Sequence, residues 1–69
     1  MISAGSTSRV LAIMGSLSAA PDEGVTPQDV IQQSGLPSST VYRLLAELED
    51  GGLLYRTADR RIHPNFTFE

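Results

Sequence analysis

Cysteine, lysine and tryptophan are all absent from this 69-residue chain, and histidine occurs once. Without cysteine there is neither a disulfide nor a thiolate metal site, the two staples on which small domains most often rely. A lone histidine, with no paired-His or His-Glu spacing beside it, leaves only carboxylates as metal ligands, so no metal and no cofactor is expected. No apolar run approaches the roughly 20 residues that a bilayer span requires. The first residues also lack the basic, apolar, small-residue order of a signal peptide, which points to a cytoplasmic protein with no membrane partner. Five arginines stand against eight acidic residues, for a formal charge of −3. That balance excludes an indiscriminate nucleic-acid coat, whose usual footprint is a basic domain. Any contact with DNA has to rest on where the arginines sit.

Catalytic constellations are also missing. The serines and threonines fit caps and turns, and none lies in a Gly-x-Ser-x-Gly elbow. The carboxylates fall on helix faces and turns where neither burial nor a close like charge tunes them for acid and base work. No glycine-rich phosphate loop follows a strand. The chain is therefore expected to be no enzyme, with no catalytic residue.

What is present is an ordinary globular composition, 41% hydrophobic and 19% charged, in one small domain. A domain of this size buries only about 60% of the surface its unfolded chain exposes, so its core is marginal and support from a partner or from further chain is expected. Residues 1–5 read as a disordered start. Val10, Ile13, Met14 and Leu17 recur at i, i+3, i+4 and i+7, with Leu11 beside them, and predict a helix over 6–20 that Pro21 stops. Thr26, Pro27 and Asp29 carry a helix-start signature, a capping oxygen, a proline at the first position and a carboxylate three residues after the cap. They predict a short helix over 26–34 with Val30 and Ile31 buried, ended by Gly35 in the left-handed region. Leu36 is the apolar anchor of the turn that follows. Val41, Leu44, Leu45 and Leu48 predict a third helix over 38–50, broken by Gly51-Gly52. Residues 53–57 and 61–63 read as two short strands around an Ala58-Asp59-Arg60 tip, with His63 a strand residue and Pro64 at an end or an edge. Phe66 and Phe68 carry more apolar surface than a free tail does, so both rings are expected to dock.

The order of helix, tight turn, helix and hairpin matches a helix-turn-helix followed by a wing, so the fold class is mostly α with a small β-hairpin. In such a unit the second helix lies in the DNA major groove and its N-terminal residues meet base edges. Projected at roughly 100° per residue, the third helix sets Ser39, Arg43, Ala46 and Asp50 opposite its apolar face, with Thr40 and Tyr42 on the flanks. Its first half is cationic and hydroxylated, its second half acidic through Glu47, Glu49 and Asp50. Ser38, Ser39 and Thr40 stand where free helix N–H groups offer an anion site. Arg43 is either a contact to guanine or phosphate or half of a surface pair with Glu47, and Tyr42 either meets DNA or packs on the wing. Arg56, Arg60 and Arg61 lie in the hairpin, either tracking a phosphate backbone or protecting a solvated sheet edge. Arg60 and Arg61 are the stronger contacts of the three; Arg9, near the start of the first helix, either touches phosphate or has no role, and the second reading is favoured.

The runs Val10-Leu11-Ala12-Ile13, Val25-Thr26-Pro27-Gln28-Asp29-Val30, Gly35 to Leu48 and Gly52-Leu53-Leu54 resemble the N-terminal winged helix of IclR-type bacterial transcription regulators. The most specific stretch, Gly35-Leu36-Pro37-Ser38-Ser39-Thr40-Val41-Tyr42-Arg43-Leu44-Leu45-Ala46-Glu47-Leu48, has every fixed position of the family's pattern. The resemblance implies a three-helix winged helix-turn-helix over 6–64 that binds double-stranded operator DNA as a homodimer or higher oligomer. It also implies that 65–69 begins a linker to a C-terminal domain sensing a small-molecule effector. Carried over, Ser39, Thr40 and Arg43 match the family's recognition-helix positions and the Ala58 to Arg61 hairpin its wing; with Ser38 and Tyr42 from the helix-face reading, the expected DNA-binding residues are Ser38, Ser39, Thr40, Tyr42, Arg43, Arg60 and Arg61. Ser38 and Tyr42 depart from the family, which often has a basic residue and a histidine there. Val41-Tyr42-Arg43-Leu44-Leu45 with the Gly-Leu-Leu strand also resembles the dimerisation winged helix of small-molecule O-methyltransferases, which binds no DNA.

Overall fold

A computed structural model describes residues 6–66; the expected disordered start at 1–5 and the ring of Phe68 lie outside the described residues. The elements run α1 (Ser6–Ser18), α2 (Pro27–Ser34), α3 (Ser38–Asp50), β1 (Leu54–Arg56) and β2 (Ile62–Pro64), the three helices and antiparallel hairpin expected of a winged helix-turn-helix. β1 pairs with β2 in the register Leu54 to Pro64, Tyr55 to His63 and Arg56 to Ile62. A further bridge joins Val25, in the α1–α2 connection, to Ile62, so β2 is held on both sides.

Each helix end has a local cause. α1 stops at Ser18, two residues earlier than its periodicity suggests, because Ala20 N–H donates to Leu17 in a tighter final turn ahead of Pro21. Thr26 and Asp29 form a reciprocal capping box, with Asp29 N–H donating to Thr26 Oγ1 at 3.2 Å and Thr26 N–H to Asp29 Oδ2 at 3.0 Å. Gly35, at φ 71°, turns the chain out of α2 while its N–H donates to Ile31. α3 closes through Leu53 N–H to Leu48 and Gly52 N–H to Glu49, with Gly52 at φ 78°, a Schellman motif that also draws Leu53 onto the core. β1 is two residues shorter than the residue pattern suggests and β2 keeps its length but starts one residue later, although Thr57 N–H still donates to the Arg61 carbonyl at the hairpin mouth.

The core takes Ile13 and Leu17 from α1, Val25, Val30 from α2, Val41, Leu44, Leu45 and Leu48 from α3, and Leu54 and Ile62 from the hairpin. Leu11 is not beside this core but 56% exposed, since it stands about 160° around the helix from Ile13. The buried place goes to Ser16, whose hydroxyl donates to Gln33 Oε1 and ties α1 to α2. Phe66 packs against the core, and Asn65 N–H donates to the Leu53 carbonyl.

Leu45 is fully buried at the centre of this packing, so Leu45→Ala is expected to cost about 2–5 kcal/mol, much of what a domain of this size holds. A thermal melt unchanged from wild type would show the buried face to be elsewhere. The Asp29 carboxyl is held below the ordinary carboxylate range by its hydrogen bonds from Thr26, first the backbone N–H and then the hydroxyl, with Arg61 adding a smaller effect. Its contribution to stability is therefore complete above the unfolded value near pH 4 and lost as pH falls through the lower folded value. The Tm difference between wild type and Asp29→Asn should be constant above about pH 5 and narrow on acidification; a gap that does not change with pH would remove the charge from the cap.

Candidate nucleic-acid interface

Burial of one stripe of α3 decides what its other face presents. With Val41, Leu44, Leu45 and Leu48 turned inward, Ser38, Ser39, Tyr42, Arg43, Ala46 and Glu47 are exposed and Thr40 is half-buried. Pro37 is the N-cap of α3 and supplies no side-chain hydrogen bond, whereas α2 has Thr26 and Asp29 at its start. The first N–H groups of a helix have no intrahelical acceptor, so those beside Ser38, Ser39 and Thr40 point outward along the axis. The amide dipoles, the hydroxyls and Arg43 thus share the N-terminal half of one exposed face.

Arg43 is engaged at its outer end, with Nη1 lying 3.4 Å from Glu47 Oε2 one turn further along. Both side chains are more than half exposed, so the pair is weak and its guanidinium exchangeable. Tyr42 is 48% exposed and makes no aromatic or cation–π contact among the described residues. The aromatic partner of the wing is His63, whose ring stacks on Tyr55 at 5.1 Å between centroids, an outcome of their pairing across the hairpin. That contact needed the strand register, which the residue pattern alone left open.

The hairpin arginines separate into three different settings. Arg56 Nε lies 3.2 Å from Glu49 Oε1 and ties β1 to the last turn of α3. Arg61 is half-buried and donates from Nη1 to the Gly24 carbonyl at 3.3 Å, binding the base of the wing to the α1–α2 connection. Gly24 belongs to the same joint: its φ is 85°, and a Cβ there would stand 2.8 Å from the Ile62 carbonyl and from the His63 ring. Arg60 is exposed at the hairpin tip with φ 66°, the one non-glycine residue in the left-handed region among the described residues. Arg60 N–H donates to the Thr57 carbonyl, completing a three-residue hairpin loop whose third position is normally left-handed. Asp59 stabilises the loop by accepting from Thr57 Oγ1 and from Arg61 N–H, and these bonds, in that order, lower its pKa.

The structure thus brings Ser38, Ser39, Thr40 and Arg43 onto one helix half, leaves Tyr42 at its flank, and sets Arg60 and Arg61 apart on the wing. Among the described residues no group of three or more His, Asp or Glu is placed to hold a metal ion, and no helix is long and apolar enough to cross a membrane. The family model for the IclR helix-turn-helix domain matches residues 6–58, which takes in all three helices, β1 and the start of the hairpin tip. No curated protein and no solved structure matches the chain. On the strength of that match and of the fold that embodies it, the chain belongs to the IclR helix-turn-helix domain family, the DNA-binding module of transcription regulators.

Proposed function

We propose that α3 enters the major groove of operator DNA by its N-terminal half while the hairpin lies along the neighbouring backbone as a wing. The observation that carries this reading is the division of the exposed α3 face, with hydroxyls, free amide dipoles and Arg43 at one end and carboxylates at the other. An oriented insertion follows, because the acidic end is repelled by phosphate and the cationic end is not. Ser38, Ser39 and Thr40 serve phosphate from the helix start, Arg43 serves a base edge, and Tyr42 supplies a flanking contact. On the wing, Arg60 reaches phosphate, and Arg61 combines that contact with its bond to Gly24. The family match favours this function over an O-methyltransferase dimerisation module. Recognition as a homodimer or higher oligomer over two half-sites, and a small-molecule effector bound by a C-terminal domain reached through a linker starting at 65–69, belong to the same proposal and rest on the family.

The direct test is fluorescence anisotropy of a labelled duplex titrated with the domain over a salt series. Binding of random duplex that falls steeply with salt supports phosphate contact, and no binding at low salt overturns the proposal. On an operator, Arg43→Ala should lose about 1–3 kcal/mol, and unchanged affinity would take Arg43 out of the interface. Arg60 allows a sharper separation of folding from function. A left-handed arginine costs about 1–2 kcal/mol, part of which glycine forfeits through its freer unfolded chain. Arg60→Gly should therefore raise Tm while weakening binding to every duplex and reducing the salt slope by about one. A variant more stable yet equal in affinity would make the tip purely structural.

A further inference from the structure

The five arginines are all the cationic side chains other than histidine that the chain has, and they are held very differently. Arg43 pairs with Glu47, Arg56 with Glu49, and Arg61 with the Gly24 carbonyl, while Arg9 and Arg60 have no side-chain hydrogen bond or ion pair among the described residues. Glu47 is the hardest of these partners to explain by stability. A carboxylate in the C-terminal half of a helix faces the negative end of the dipole, and a pair with the cation on the N-terminal side is the weaker order at i, i+4. α3 carries Glu47, Glu49 and Asp50 there and no basic residue in its last turn. Glu47 is 63% exposed, so packing does not account for it either.

We infer that Glu47 is a specificity-determining residue, a carboxylate that competes with DNA phosphate for Arg43 and keeps the affinity for arbitrary duplex low. This rests on the DNA reading of α3 given above. Carboxylate and phosphate are both oxyanions that a guanidinium takes in the same way. A phosphate drawn to Arg43 stands beside the Glu47 carboxylate, so the binding face then holds two anions around one guanidinium whether or not the pair opens. A guanine edge is neutral and sets no such repulsion. The guanidinium has five N–H donors and Glu47 engages it only at Nη1, so a base edge with two acceptors is compatible with the pair as it stands. Glu47 therefore penalises the nonspecific contact and spares the specific one, the repulsive element on which discrimination commonly depends.

The experiment measures random-duplex affinity and its salt slope at low ionic strength for wild type, Glu47→Gln, Asp50→Asn, Arg43→Gln and the double variant Arg43→Gln/Glu47→Gln. Asp50 is exposed and has no partner among the described residues, so Asp50→Asn reports the general effect of removing one negative charge from α3. Glu47→Gln should tighten binding about twofold beyond Asp50→Asn, the scale of an exposed i, i+4 pair, and steepen the salt slope by about one phosphate. In the Arg43→Gln background that excess should vanish, which isolates the pair from long-range charge. Equal gains in both backgrounds, or weaker binding by Glu47→Gln, would overturn the inference while leaving DNA binding intact. Absence of binding by wild type and all variants would overturn the DNA reading itself, and this inference with it.

Discussion

The rotation of α3 about its own axis is the constraint from which the rest of the molecule follows. Four apolar side chains, Val41, Leu44, Leu45 and Leu48, occupy one stripe and are buried together. Because side chains at i, i+3, i+4 and i+7 share a face, burying that stripe leaves no freedom in what the opposite face shows. Turning the helix by one residue would expose a leucine and bury Arg43 or Glu47, a charge without compensation. The hydrophobic effect thus orients the polar chemistry without touching it. The same stripe receives Ile13 and Leu17 from α1 and Leu54 and Ile62 from the hairpin, so helix and wing are located by one core.

Much of this was legible in the residues because several local signals agreed. The spacing of the α3 leucines, the Thr26-Pro27-Asp29 start and Gly35 each specify a boundary by a short-range mechanism, and those boundaries hold to within a residue. Leu11 shows where apolarity alone misleads: Ile13, two residues on, is fully buried, but the angle of Leu11 about the helix turns it to solvent. Ser16 is the converse, a polar residue whose buried place depends on Gln33 of another helix, which no periodicity reveals. The short strands and the Tyr55–His63 stack depend on register, set by a hairpin loop whose left-handed position is filled by arginine where glycine or asparagine would have signalled it.

Of the candidate site, the membership of the α3 half-face and the Arg43–Glu47 pair were readable, and the settings of the hairpin arginines were not. Arg43, Arg56, Arg60 and Arg61 are alike in sequence, yet one is in an exposed pair, one is tied to α3, one is at a strained tip and one is anchored to Gly24. Three of these settings arise from contacts within or between elements that a one-dimensional pattern does not place. The joint at Gly24 is the clearest case: a left-handed φ, a close ring, a backbone bridge and a guanidinium converge on a residue that in sequence is one more loop glycine.

The Schellman closure of α3 has a consequence for the DNA as much as for the protein. Gly51-Gly52 resembles a hinge, but the bonds from Gly51 to Glu47, from Gly52 to Glu49 and from Leu53 to Leu48 use both glycines to hold the helix to the strand that follows. With the Arg56–Glu49 pair across the same joint and the bridge at Val25 behind the wing, the distance between helix and wing is set before any duplex arrives. In the proposed complex the adaptation then falls to the double helix, whose groove width and bend must meet a reader of fixed gauge. Base pairs lying between the two footprints, touched by no side chain, would be selected for how readily they deform.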